Sequence, residues 1–88
     1  MRVYNMENSS GNKVVNQFEI IDDNGARYFQ SYQTVIAKFK GGKVYLDKGK
    51  WNYSTTTSTY RNIFLNETSR ETAKKVKSGE YKLVNLNK

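Results

Sequence analysis

Two glycine-bearing turns constrain this chain more than anything else in it. Asp23-Asn24-Gly25 and Gly41-Gly42 each stand between short runs rich in β-branched and aromatic residues. Asn-Gly and Gly-Gly tolerate the positive φ angles that a two-residue hairpin loop demands, so each turn predicts a pair of antiparallel strands. With Asn24 and Gly25 as the first loop, Ile20 falls opposite Phe29, Phe18 opposite Ser31, and Ile21 opposite Tyr28 on the other face. With Gly41 and Gly42 as the second loop, Phe39 meets Val44 and Ala37 meets Leu46, which makes one consistent buried face. The other face then carries Lys38 opposite Tyr45 and Lys40 opposite Lys43. Ser31 to Thr34 must turn or bulge between the hairpins, in a form the sequence leaves open.

After Trp51 the period changes. Ser54 can cap a helix over roughly 55–65, with Tyr60, Ile63 and Phe64 sharing a face at helical spacing. The Thr-rich opening, 54–59, is poor helix material and is also compatible with an extended segment. Thr68-x-x-Glu71 is a capping box for a second helix that runs to about Ser78, with Gly79 as its left-handed terminator. Lys74, Lys75 and Lys77 suit the negative end of its dipole, and Lys75 stands four residues after Glu71 as a helix-surface partner. A last strand is expected over Tyr81 to Leu86. The order is β-β-β-β-α-α-β, a small α+β domain with two short helices on one side of an antiparallel sheet. Residues 1–12 are expected to be a flexible lead-in, with Met6 a possible alternative start, and 13–88 a single domain.

Eighty-eight residues support one small core, for which seven Tyr, four Phe and one Trp are the main supply. Trp51, Tyr53 and Tyr60 are assigned to that core. The chain has no Cys, His or Pro. Disulfides, Cys/His zinc sites, thiol nucleophiles and imidazole bases are therefore excluded within one chain. Asp22 and Asp23 are adjacent, so in a strand they point to opposite faces and cannot share a substrate proton. Asp22-Asp23-Asn24-Gly25 lacks the alternating ligands and closing Glu of a calcium loop and reads as a turn. Glu67 and Glu71 stand at a helix start, where acids serve capping. The chain is read as non-enzymatic, with no cofactor and no metal. No apolar run reaches membrane-spanning length, and the polar start lacks a signal peptide, so a cytoplasmic location is expected. On that expectation the N-x-S/T triplets at Asn8, Asn52 and Asn66 carry no glycosylation message.

Charge is the more informative feature. Fifteen Lys and Arg against eight Asp and Glu give +7. Between Lys38 and Lys50 lie five lysines and one aspartate, a local excess of four. Lys38, Lys40, Lys43 and Tyr45 share one hairpin face, a basic patch with an aromatic that suits phosphate neutralisation and base stacking. The same lysines also keep a hairpin tip soluble and block edge pairing. Arg70, Lys74 and Lys77, at i, i+4 and i+7, form a stripe on the second helix, which also reads as a solvated, dipole-matched face.

The stretch Leu65 to Gly79 resembles the helix-turn-helix of excisionase-type DNA-binding domains, with Leu65, the capping Thr68, Val76 and Gly79 at matching offsets. Glu67 stands where that motif has an apolar turn residue, and Thr72 where it has a core valine. Over most of its length the chain resembles a family of small uncharacterised proteins from phages, prophages and plasmids of Gram-positive bacteria. The residues that carry this are Tyr28-Phe29-Gln30-Ser31-Tyr32, Ile36-Ala37, Val44-Tyr45-Leu46-Asp47, Trp51-Asn52-Tyr53-Ser54, Thr56-Thr57, Tyr60-Arg61, Phe64-Leu65 and Lys77-Ser78-Gly79-Glu80-Tyr81. The family is a domain of unknown function. The resemblance implies a mobile-element origin and assigns no site residue.

The leading expectation is a basic nucleic-acid-binding protein, DNA rather than RNA, that contacts its ligand through Lys38, Lys40, Lys43, Tyr45, Arg70, Lys74 and Lys77. The alternative is a protein-binding inhibitor of a host factor or defence nuclease, anti-CRISPR-like, docking on an acidic or nucleic-acid-facing surface. Neither reading involves a membrane, and oligomeric state is left open.

Overall fold

The turns decide the sheet. Gly41 and Gly42 both adopt positive φ, 60° and 77°. They bring Phe39 opposite Val44, Ala37 opposite Leu46, Lys38 opposite Tyr45 and Lys40 opposite Lys43, the expected register. The first turn closes differently. The Asp22 carboxylate accepts from the Asn24 and Ala26 N–H groups, both at 2.9 Å, and Gly25 takes φ 84°. The loop is therefore residues 23–25, a type I turn followed by a left-handed glycine, and not Asn24-Gly25 alone. A one-residue slip moves every side chain to the other face. Phe29 lies opposite Glu19, Ile20 opposite Tyr28 and Phe18 opposite Gln30, which corrects the expected pairs. A Cβ at Gly25 would meet nothing within 4 Å, so Gly25→Ala carries only the left-handed backbone penalty. It is expected to cost about 1–2 kcal/mol in urea unfolding.

In the computed structural model, which describes residues 1–87, the strands are β1 (Arg2–Glu7), β2 (Lys13–Ile21), β3 (Arg27–Ser31), β4 (Thr34–Lys40), β5 (Lys43–Asp47) and β6 (Lys82–Val84). Helices α1 (Thr55–Leu65) and α2 (Ser69–Ser78) lie between β5 and β6. All six strands form one sheet in chain order. The α+β layout is the expected one, with two differences. Residues 2–7, read as part of a lead-in, pair with β2 as an edge strand, anchored by Met6, which turns into the core where the ladder is irregular. The closing strand runs parallel to β5, because a path through two helices is long enough to return the chain in the same direction.

One face of the sheet carries the core, with Phe29, Ala37, Val44 and Leu46 buried on it. A bulge at Ile36 adds a further fully buried side chain beside Ala37. Helix α1 lies across this face. Phe64 stacks on Phe29 with ring centroids 6.1 Å apart, and Thr57 Oγ1 lies 3.3 Å from Ser31 Oγ. The Thr-rich segment is helical, capped by the Ser54 hydroxyl, which accepts from the Thr57 N–H. Its buried residues are Thr57, Arg61 and Phe64. Ile63, assigned to the buried face, is 51% exposed. Trp51 and Tyr60 pack against the core as expected, whereas Tyr53 is exposed beneath Lys50. Helix α2 has both halves of the Thr68/Glu71 capping box and ends at Gly79 with φ 86°. Where β5 has ended, the Asn87 side-chain amide pairs with both backbone groups of Val35, at 2.7 and 2.8 Å.

Candidate nucleic-acid interface

Strand alternation sends Lys38, Lys40, Lys43 and Tyr45 to the sheet face opposite Ala37 and Leu46, and so away from the helices. Among the described residues no helix covers this face. Across the strands it carries one row of paired positions: Val3, Ile20, Tyr28, Lys38, Tyr45 and Lys82. Lys38 sits between two aromatic rings, its ammonium 5.7 Å from the Tyr28 centroid and 5.9 Å from that of Tyr45. Each such contact is worth about 0.5–1 kcal/mol at a partly exposed site, and together they hold the lysine upright between two rings. Lys40 and Lys43 flank the row at the hairpin tip and are exposed.

The Tyr28 hydroxyl donates to Asp22 at 3.0 Å. The Ala26 N–H is the main reason the Asp22 carboxyl stays below its ordinary pKa, with Asn24, Tyr28 and the charge of Lys40 adding to it. Burial and the bond to Asp22 raise the Tyr28 hydroxyl, so it remains a donor and its ring is fixed in place. The face thus offers two anchored tyrosine rings, four lysines (38, 40, 43 and 82) and an apolar flank at Val3 and Ile20. Tyr28 and Lys82 escaped the sequence reading. Tyr28 was missed because the one-residue slip, which Asp22 before Asn-Gly signals, gave the first hairpin two apolar faces and so nothing to tell the open one from the core. Lys82 joins only through the parallel return of β6.

The helix stripe is not part of this surface. Thr72 faces inward on α2, and Arg70, Lys74 and Lys77 lie on the opposite, exposed side of that helix. The sheet patch and the stripe therefore point to opposite sides of the molecule, and the seven candidate residues divide four and three.

Beneath α2 lies a polar network that the spacing did not reveal. Glu67, with a side chain 4% exposed, accepts from Lys75 Nζ at 2.8 Å, from the Tyr81 hydroxyl at 2.7 Å and from the Thr72 hydroxyl. Lys75 is thus paired with Glu67 and not with Glu71. The two departures from the excisionase pattern, Glu67 and Thr72, are bonded to each other. Burial opposes charge on Glu67, but the three donors outweigh it and hold its pKa below the ordinary 4.5. Its stabilising contribution is present above that value and is lost as pH falls through the lower folded one. Burial and Glu67 push the Tyr81 hydroxyl up to about 12, and Glu67 raises Lys75. Those contributions are present below the ordinary values of the two groups and disappear as pH climbs above them. Urea midpoints are expected to fall at both ends of the pH range. Glu67→Gln is expected to flatten the acid limb below about pH 4.5.

Among the described residues, no group of three or more acidic side chains is placed to hold a metal ion. Nor, among these residues, is any helix long and apolar enough to cross a membrane. A family model described as a family of unknown function, DUF8033, matches residues 1–82. No curated protein and no solved structure matches the chain.

Proposed function

The chain belongs to the family of unknown function DUF8033, and from that premise we propose that it binds single-stranded nucleic acid, DNA in preference to RNA, on its open sheet face. The observation that carries this reading is the Tyr28–Lys38–Tyr45 row, two rings on either side of a lysine on a sheet face that no helix covers among the described residues. Bases stack on aromatic rings at about 1–3 kcal/mol each without regard to sequence, and lysines alongside neutralise the backbone. Lys38, Lys40, Lys43 and Lys82 take phosphates, and Tyr28 and Tyr45 take bases. A broad sheet face does not enter a groove, where duplex base edges are read, so a single strand is the better fit. Arg70, Lys74 and Lys77 contribute through the overall field of a +7 chain, without direct contact. A mobile-element origin and action in the host cytoplasm belong to the same reading.

A fluorescence titration with oligo-dT at varied salt tests it. Four lysine–phosphate contacts predict a log–log slope of about −2 to −3, at about −0.7 per phosphate for single strands. An absence of micromolar binding at low salt contradicts the proposal.

A second reading rests on the other half of the face. Val3 is 57% exposed, with Ile20 and Phe18 half-buried beside it, an apolar flank that nucleic acid does not require. In that reading the chain inhibits a host protein or defence nuclease, with this flank as the anchor. Val3→Ser then abolishes pull-down of a nuclease-treated partner and leaves oligonucleotide affinity unchanged.

A further inference from the structure

A cleft of about 340 Å³ lies where the β4–β5 hairpin meets the α1–α2 turn, on the helix side of the sheet. Small-ligand sites begin at about 300 Å³. The wall is apolar: Val44 and Phe64 are buried in it, and Phe39 and Leu65 are half-buried. Arg27 lines the cleft from the sheet. Glu19 accepts from its Nε at 2.7 Å, and its guanidinium carbon lies 5.0 Å from the Phe64 ring centroid. A carboxylate and a ring therefore hold the planar fork in one place. Among the described residues that bond to Glu19 is the only side-chain hydrogen bond Arg27 makes, so both of its Nη groups are without a partner.

Glu71 lines the same cleft from α2. Its Oε1 accepts from the Thr68 N–H at 2.9 Å to close the capping box, and its Oε2 has no acceptor role among the described residues. The remaining charges cancel, because Lys75 is bonded to Glu67 and Arg27 to Glu19. The cleft thus has no surplus positive charge with which to hold a phosphate or a carboxylate. What it offers is an apolar wall, a fixed pair of donors and a charged acceptor. An uncharged heterocycle with one accepting edge and one donating edge complements that set. Guanine has this form, since O6 and N7 accept along one edge and N1–H and the N2 amine donate along another. Adenine would set its N6 amine against the arginine fork, donor against donor.

We propose that this cleft binds a guanine base, with Arg27 donating to O6 and N7, Glu71 accepting from N1–H and the N2 amine, and the ring system against the apolar wall. The site does not depend on what the open sheet face binds. The base belongs either to a free guanine nucleotide or to a guanine within a strand.

NMR titration with the four deoxynucleoside monophosphates tests the site, because they carry equal charge and differ in the base. Saturable shifts are expected at Arg27, Phe39, Phe64, Leu65 and Glu71 with dGMP, at an affinity at least tenfold above those of dAMP, dCMP and dTMP. Glu71→Gln retains the capping box and removes the charged acceptor. Arg27→Lys retains the charge beside Glu19 and removes the fork. Each variant is expected to lose most of the preference for dGMP over dAMP, a ratio that partial unfolding of the sample leaves unchanged. A dT oligonucleotide with one central guanine, set against plain oligo-dT, separates the sources. Cleft shifts with the guanine-bearing strand assign a base within a chain, and cleft shifts confined to dGMP assign a free nucleotide. Binding of plain oligo-dT on the sheet face shifts Tyr28 and Tyr45 instead, so either site can fail alone. Equal affinity for the four nucleotides, or an unchanged preference for dGMP in either variant, overturns the proposal.

Discussion

Glu67→Ala is expected to lower stability by about 3 kcal/mol and the melting temperature by about 15 °C. The carboxylate is nearly inaccessible, and it is the shared acceptor for the Tyr81 hydroxyl, the Thr72 hydroxyl and Lys75. Hydrogen bonds to a charged acceptor are worth about 1.5–3 kcal/mol, and removing the acceptor leaves donors buried without one. Tyr81 feels this most, because its ring is itself in the core and its hydroxyl has no other partner. Thr72 keeps its bond to the Thr68 carbonyl at 3.2 Å, so its loss is partial. The network ties the α1–α2 turn to the segment that leads into β6, so the variant also loosens the parallel return of the last strand. Thermal unfolding by circular dichroism checks the figure. A loss below about 1 kcal/mol would show that water replaces the carboxylate at little cost.

The second large effect concerns binding. Tyr28→Ala and Tyr45→Ala are each expected to weaken single-stranded oligonucleotides about tenfold, at the low end of the stacking range for one base. Together they are expected to approach a hundredfold, because the rings sit on either side of Lys38 and stack separate bases. Removing either ring also frees the Lys38 ammonium, so the salt slope is expected to change little while the intercept falls. Tyr32→Ala is the control. That tyrosine is 57% exposed but lies in the β3–β4 turn, away from the row, and is expected to change affinity less than twofold.

What the sequence revealed follows from how local each determinant is. The Gly41-Gly42 register was legible because two adjacent glycines leave few alternatives for the loop, and the basic hairpin patch came with it. The Asn24-Gly25 register was misplaced by one residue because a side chain, the Asp22 carboxylate, competes with the backbone for the loop's N–H groups. That single slip set Ile20 opposite Phe29 when it lies opposite Tyr28, and so left the first hairpin with no face distinguishable as the open one. The caps of both helices were legible, since Ser54 and the Thr68/Glu71 box act within one turn. The buried side of α1 was legible only at Tyr60 and Phe64, because the rest of it is Thr57 and Arg61, and apolar periodicity is blind to polar residues that find partners inside. Strand β1 escaped because Arg2, Asn5 and Glu7 are exposed on an edge and its anchor, Met6, sits where the ladder is irregular. The pairing of Lys75 with Glu67 escaped because it spans the α1–α2 turn and is not a repeat along one helix.

The division of the basic residues between two sides of the molecule sets the most direct test. Two triple variants, Lys38→Gln/Lys40→Gln/Lys43→Gln and Arg70→Gln/Lys74→Gln/Lys77→Gln, lower the net charge by the same three units and differ only in where the charge is lost. Their affinities for oligo-dT, measured by fluorescence anisotropy at low salt, isolate position from total charge. The sheet variant is expected to bind at least tenfold more weakly than wild type, and the helix variant to stay within about threefold. Equal losses in the two variants, or a larger loss in the helix variant, would contradict binding on the open sheet face.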